Sequence, residues 1–577
     1  MGQSEATHQP NLFHVVRLLG RFIQLEHRIL ALVVSYALVI GLFSLVVPLT
    51  VQELVNTFSF AIQPVMIATL AMIMVVVLTV VGAFKALQYY AVDVLQRRLF
   101  VRTAFAMAQK LPKLRFQGFR PHLSNCFMET AFMQRALAVL LVDLIHVVVG
   151  GVIGMMMLVF YHPYFILFDM VLLLGSGVIF FVLSRGGLRT TIGMSHAKYD
   201  MLHWIQEISQ NLLHIKATDS RALLMEKTDE LAKKYMESRR ARFAVLLRQF
   251  IASVGGQAVA HSGALALAGW LLSIGQLTLG QLVAVEVVVG SLLINFDAVV
   301  KSMGQVYFFF TALVELDTFF SLPKDQLHPL PTSSVTLRDP QTYGIRVSCN
   351  GLGVSHNGVT AFANLDLDVA PGEKIAIYTT TTLARTSLAR VLAGLEPPTS
   401  GIVSYNDVEL RHLDLNVVNH CRGFMIDSHL SLLDGTIADN IVWRRSYVSY
   451  EDVRWALELT QLQSEIAALP LGINSDIKAL GEIPAPSHVL RILLARAILG
   501  RPQLLVFDGM IHDMHPNVRD VILERLCAKD QSWAVIFVSN DPDLTPYVNR
   551  RIVLENSGIS APLLPSVKSP DDSPSLQ

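Results

Sequence analysis

Residues Gly372 to Leu395 read GEKIAIYTTTTLARTSLARVLAGL: an apolar run, four threonines, then a helix-forming segment that opens on Arg385, Thr386 and Ser387. A strand, a short polar loop and a helix in that order aim backbone N–H groups at one point, which is how proteins cradle phosphate. A cation and a hydroxyl at the start of such a helix suit a phosphate and its magnesium ion. Further on, LLVFD ends in Asp508, a carboxylate after an apolar strand, able to hold a magnesium water shell. The pattern G-x-x-x-x-G-K-[ST] needs glycine where the backbone takes φ > 0 or meets phosphate oxygens. Laid on a glycine-rich loop of this type without a gap, Thr379, Thr382 and Ala384 stand at glycine positions and Arg385 at the lysine, while Thr386 keeps the metal-binding hydroxyl. Threonine at φ > 0 would cost on the order of 1 kcal/mol or more at each position. A planar guanidinium does not replace a compact ammonium. A loop rearranged around Thr379, Thr380, Thr381 and Thr382 can hold an anion weakly; an ordinary strand–helix turn with no ligand is the plainer expectation.

The elements that position these residues begin at about Ile345. Short apolar strands alternate with helices (IRVSCNGLGV, LDLDVAPG, KIAIY, LLVFDG, AVIFVSND), which predicts an α/β domain over 345–560. Before it, residues 322–344 are rich in Pro, Ser and Thr and read as a linker. After it, 561–577 has the composition of a disordered tail.

The first 321 residues are of another kind. The chain has 577 residues, 52% hydrophobic and only 16% charged, against about a quarter charged in ordinary soluble domains. Neither Lys nor Arg occurs between Arg28 and Lys85, between Arg135 and Arg185, or between Arg248 and Lys301. Each gap holds two spans of about 20 residues and a turn. Six transmembrane helices follow, near 30–50, 65–88, 137–160, 163–185, 248–272 and 279–302, in a domain over 30–321. The stretches between hairpins are basic, with Arg97, Arg98 and Arg102 in one and Lys233, Lys234 and Arg239 in the next, so they and both termini are expected in the cytosol. Residues 1–29 include an amphipathic helix suited to lying on the inner membrane surface. No cleavable signal is expected, because the first apolar run is too long and ends in no small-residue site. Net charge is zero and no basic patch is interleaved with aromatics, which argues against nucleic acid. Cys126, Cys349, Cys421 and Cys527 fall in expected cytosolic parts without a C-x-x-C pair, as reduced structural cysteines do.

Six spans, a linker and a strand–loop–helix domain resemble an ABC exporter half-transporter over nearly the whole chain. PLTVQELVN at 48–56 and GQLTLGQLVA at 275–284 are similar to the end of that family's first membrane helix and to its fifth-to-sixth turn. VAPGEKIAI, LAGLEPPTSGIV, LLDGTIADNI and LLARAILGRPQLLVFD follow in the family's order. The fold class implied is a membrane α-helical bundle of six helices followed by an α/β P-loop NTPase-like domain. The nearest flavour resembles bacterial type I secretion and peptide exporters, without their N-terminal peptidase domain.

Carried over position by position, the resemblance implies a degenerate motor. His356 stands at the adenine-stacking position. Ser428 replaces the glutamine that senses magnesium and water. Pro484, Ala485, Pro486, Ser487 and His488 replace the signature loop, and the two prolines remove backbone donors. Asp508 is retained, Gly509 replaces the glutamate base, Asn540 the switch histidine and His515 the aspartate of the following loop. Losing a positioned base costs about 10²–10⁴-fold, so no catalytic residue is assigned. ATP and magnesium are expected only as residual ligands. His512 and His515 have metal-ligand spacing but lack further ligands nearby, so no metal site is assigned. Asp169 and Glu286 fall within spans, where a carboxylate is costly, and are candidates for a substrate path; Asp143 and Asp297 are expected near the inner interface. The partners implied are a second copy or an ATP-competent half-transporter, a membrane-fusion adaptor, and the lipid of a bacterial inner membrane. Two functions compete: an exporter subunit for a peptide, protein or amphiphile, and a pseudo-ATPase that regulates or scaffolds a transporter or secretion complex.

Overall fold

A computed structural model describes residues 12–58, 64–114, 121–218, 220–323, 344–356, 358–426, 432–445, 447–480, 485–509, 514–555 and 558–563. The chain divides into two units, Met1–Pro323 and Lys324–Gln577.

Among the described residues the first unit contains six helices long and apolar enough to cross a membrane: Val15–Thr57, Pro64–Lys113, Cys126–Tyr161, Phe165–Gln210, Arg221–Ser273 and Leu279–Ser321. Five of the expected spans lie inside one of them, the fourth begins two residues before its helix at Phe165, and the helices run on beyond the apolar stretches. The N-terminal amphipathic segment is part of the first helix, Leu12–Ser44, which changes direction at Glu26 (φ −117°, ψ 19°). Its Val15 and Leu18 are buried in the unit, so this face packs on protein. The sequence also suggests a break in each cytosolic stretch, near Phe116–His122 and near His214–Ser220; residues 115–120 of the first lie outside the described residues. At the second, a separate short helix, Leu212–Ala217, lies between the fourth helix, which ends at Gln210, and the fifth, which starts at Arg221.

The two strings that carried the membrane part of the resemblance meet. Thr278 and Gln281 form a capping box at the start of the sixth span, with Gln281 N–H donating to Thr278 Oγ1 at 3.1 Å and Thr278 N–H to Gln281 Oε1 at 2.8 Å. The N–H of Gly280 donates to Asn56 Oδ1 at 3.1 Å, and a Cβ on Gly280 would lie 2.4 Å from the carbonyl oxygen of Gln52. Only glycine permits that approach of the first and sixth spans.

Among the described residues the second unit has two sheets. One is antiparallel, ordered β2-β1-β4-β5 from β1 (Val347–His356), β2 (Val359–Val369), β4 (Ser400–Tyr405) and β5 (Val408–Glu409). The other is ordered β10-β9-β3-β8-β7-β6, from β3 (Lys374–Thr379), β6 (Arg422–Ile426), β7 (Leu504–Asp508), β8 (Ala534–Val538), β9 (Arg550–Glu555) and β10 (Gly558–Leu563). Strands β6, β7, β8, β3 and β9 are mutually parallel, and β10 returns antiparallel. Strand β10 reaches Leu563, past the boundary expected for the tail, because it pairs with Arg551 of β9.

Side chains alternate between the two faces of the parallel sheet. Ile375 and Ile377, Leu504 and Val506, and Ala534, Ile536 and Val538 enter one core; Ala376, Leu505, Phe507, Val535 and Phe537 enter the other. The first core also holds Leu388, Ala389, Val391 and Leu392 of helix α1 (Thr382–Leu392). With a period of two, Asp508 falls on the same face as Leu504 and Val506, toward α1.

Candidate functional site

The carboxyl ends of β3, β8 and β7 lie side by side, where open α/β sheets present ligand crevices. This edge collects Thr379–Thr382, Asn540 and Asp508, as the sequence predicts. What the groups do there differs from the expectation.

The threonines are not strained. None of Thr379, Thr380, Thr381 and Thr382 has a positive φ, and Thr381 is extended at φ −133°, ψ 149°. The expected φ > 0 cost is therefore absent, because α1 starts at Thr382, only two residues beyond β3, and no wide loop is spanned. Thr381 is the N-cap of α1: its hydroxyl accepts from the N–H of Ala384 at 3.1 Å and its carbonyl from the N–H of Arg385 at 3.1 Å. The helix amino terminus is thus capped by its own side chain. Asn540 closes the other flank, accepting from Thr379 N–H at 2.8 Å and donating to Thr379 O at 2.7 Å.

Arg385 turns onto Asp508. Its Nε donates to Asp508 Oδ1 at 3.0 Å; the carboxylate is fully buried and the Arg385 side chain is 20% exposed. The Thr386 hydroxyl approaches the same oxygen at 3.4 Å. The residues at the lysine, magnesium-hydroxyl and aspartate positions are therefore bonded to one another. Gly509 has φ +75°, a conformation unfavourable to a glutamate, and donates its N–H to Val538 O at 3.0 Å.

His356 ends β1 and is engaged with protein: Nε2 lies 2.9 Å from Ser387 Oγ and 3.3 Å from Glu396 Oε1. Ser428, Pro484 and His512 lie outside the described residues. Of the remaining signature positions, Ala485 is the N-cap and Pro486 the first residue of α3 (Pro486–Ile498). His488 Nε2 lies 2.9 Å from Glu465 Oε2, in α2 (Gln463–Ala467). Arg491, one turn further along α3, donates to both Glu465 oxygens at 2.9 and 3.0 Å, and to Ser487 O. Burial raises the Glu465 carboxyl, but the bonds from Arg491 and His488 outweigh it and hold it below its ordinary value of 4.5. His515 is the N-cap of α4 (Pro516–Leu526). Among the described residues no group of three or more His, Cys, Asp or Glu is placed to hold a metal ion.

In the membrane unit, Glu286 pairs with His261 Nε2 at 2.7 Å, between the sixth and fifth spans. Asp169 is buried on the fourth span, and among the described residues neither carboxylate oxygen has a hydrogen-bond partner. Asp297 pairs with Lys301 at 2.5 Å and accepts from Gln257 at 3.4 Å. Sequence reasoning missed His261, Glu465 and Glu396. A histidine among apolar residues could have flagged the first; Glu465 and Glu396 have no local signal, since their partners are distant in the chain.

The comparisons with known proteins agree with this architecture. The chain superposes on a bacterial Atm1-family ABC exporter with ATP bound at a TM-score of 0.77, covering 93% of this chain and 95% of that one at 16% identity. It is 30% identical over 169 residues to the colicin V secretion/processing ATP-binding protein CvaB of Escherichia coli, a match covering 28% of this chain and 24% of CvaB. It is 23% identical over 299 residues to the ATP-dependent lipid A-core flippase of Neisseria meningitidis, covering 51% of this chain and 46% of the flippase. The chain is similar to ABC exporter half-transporters in these stretches of sequence and in fold. Its fold is that of an exporter-type half-transporter, with six membrane helices ahead of the nucleotide-binding type of domain. No family model matches the chain, and in these curated relatives it spans less than half of their length.

Proposed function

We propose that this ABC exporter-type chain is a membrane transport subunit whose nucleotide-binding domain does not hydrolyse ATP. The observation that carries the proposal is the Arg385–Asp508 ion pair beside an amino terminus capped by Thr381. A magnesium nucleotide needs a free cation for its phosphates, helix N–H groups for their oxygens and a carboxylate for the metal's water shell. In this chain the cation and the carboxylate neutralise each other, the capped N–H is taken, and Gly509 offers no base. The residues present therefore do not fit a magnesium nucleotide, and no step is derived through one.

In this reading the protein is integral to a bacterial inner membrane, with both termini in the cytosol and the short turns outside. It acts in a dimer, either of two copies or with an ATP-competent sibling, and serves outward movement of a peptide, protein or amphiphile. What supports the transport half is the retained membrane bundle, with the first and sixth spans locked at Gly280. The test is magnesium-dependent phosphate release by the purified full chain in lipid, beside an Asp508→Ala variant. The expected result is no release above background in either, with no retention of labelled ATP. Hydrolysis by the wild type that Asp508→Ala abolishes would show a working site and end the proposal. Capture from native membranes, scored for an intact ABC subunit in equal amount, separates the heterodimer from the homodimer.

A further inference from the structure

The first helix bends at Glu26, and at the bend it meets the basic stretch of the second helix. Glu26 is buried there, and Arg102 donates to its Oε1 while keeping 60% of its own side chain exposed. Around this anchor lies an open cleft of about 500 Å³. Leu25 and Glu26 line one side of it, and Arg97, Arg98, Val101 and Arg102 line the other.

The charges of the cleft do not cancel. Glu26 pairs with Arg102, and Asp93 pairs with Arg97 at 2.6 Å across one turn. Among the described residues Arg98 has no carboxylate partner. Three guanidinium groups thus meet two carboxylates. Arg97 is 75% exposed, and the exposed N–H edges can take a phosphate bidentately. The buried carboxylate holds Arg102 in place before any ligand arrives.

Depth and neighbours select the source of that phosphate. Glu26 precedes the first expected span by four residues, about 6 Å of helix. The headgroup layer is about 5–8 Å thick on each side of a bilayer, so the bend lies at its level. The bond to Arg102 brings the second helix to the same level, with Arg98 about one turn nearer the hydrocarbon. Apolar surface adjoins the arginines: Leu25 is 66% exposed, Val101 50% and Phe105 65%. A free anion offers these side chains nothing to bury against, whereas a lipid brings phosphate and hydrocarbon together. A second copy would bring the same positive cleft, and like charges facing each other across a two-fold interface repel. We propose that this cleft binds the phosphate of an anionic bilayer phospholipid, with Arg97 and Arg98 as donors beside the Arg102 that Glu26 fixes.

The test uses the full chain in phosphatidylcholine vesicles that hold a minor fraction of phosphatidylglycerol. A photoreactive p-benzoylphenylalanine replaces Val101 in the cleft or, as a control, Tyr89, which is 73% exposed about three turns away on the same helix. After irradiation the attached lipids are weighed by mass spectrometry. At position 101 phosphatidylglycerol should exceed its share of the vesicle severalfold, and at position 89 it should match that share. Arg97→Gln with Arg98→Gln alters two exposed side chains, so the chain should fold and the ratio at position 101 return to the vesicle's own. Asp93→Asn releases Arg97 and should raise the ratio. A wild-type ratio equal to the bulk at position 101 overturns the proposal, as does an unchanged ratio in the double arginine variant. Equal enrichment at position 89 would mean unspecific attraction of anionic lipid and overturns it too. Millimolar inorganic phosphate at constant ionic strength should leave the ratio unchanged; its loss would assign the cleft to the free anion and end the lipid reading. Disulfide cross-linking of two copies through Val101→Cys would mean that a second copy covers the cleft, with the same consequence.

Discussion

Replacing Asp508 by asparagine separates a closed site from an open one by the sign of a stability change. In an open site without nucleotide, a buried carboxylate near no cation is a cost, and neutralising it stabilises the domain. Here Asp508 is fully buried and bonded to Arg385 at 3.0 Å. Removing one partner of a buried ion pair costs about 3–5 kcal/mol, because the other charge is left uncompensated. Arg385 keeps 20% of its side chain exposed, so water recovers part of that loss. A destabilisation of about 2–4 kcal/mol is expected, near the lower end of the range. For a domain of this size each kcal/mol moves the midpoint by about 2–4 °C, giving a fall of about 4–16 °C. Intrinsic fluorescence on heating reads it in the full chain, since Trp455 and Trp533 pack 5.8 Å apart in this domain. A double variant, Arg385→Met with Asp508→Leu, should recover most of the loss, because two apolar side chains leave no buried charge. An upward shift of the domain's transition in Asp508→Asn, or a wild type stabilised by magnesium and ATP, would refute the internal pairing.

Three further outcomes follow from the same geometry. Thr381→Ala removes the α1 cap and should cost about 1 kcal/mol; an unchanged midpoint for this domain would mean that the Thr381–Ala384 bond does not hold in solution. Glu465 has a folded carboxyl below 4.5, so its stabilisation is complete above that value and is lost as pH falls through the lower folded one. Denaturation measured across acid pH should show Glu465→Gln weaker than wild type near neutrality and level with it once the carboxyl protonates; a gap that widens on acidification contradicts this sign. Gly280→Val forces a side chain onto the Gln52 carbonyl, which a Cβ alone would approach to 2.4 Å. That variant should lower the yield of correctly sized protein from detergent while the α/β domain's transition stays put, and normal yield and stability would remove the first-to-sixth-span contact from the account.

Much of the fold was legible because it rests on local rules. Fifty-residue gaps without Lys or Arg announce hairpins, since charge is excluded from hydrocarbon on every face of a span. Continuous apolar runs such as LLVFD and AVIFV announce strands buried on both faces. At the site, the sequence placed Thr379–Thr382, Arg385, Asp508 and Asn540 together through motif order. It misjudged the loop because glycine counting assumes the wide phosphate turn; here the helix starts two residues after the strand and the threonines keep ordinary backbone angles.

The sequence by itself indicated a membrane part and an α/β part, the six apolar helices, the strands that flank the site and the residues that differ from those of a nucleotide motor, while the order of strands in the sheet came from the structure. Only the tertiary structure decided where the remaining charges go. Arg385 and Asp508 are far apart in the chain, and Glu465 and Arg491 meet across two helices. The pairing of such groups depends on the face each strand or helix presents and on the water excluded between them, and no local pattern encodes either.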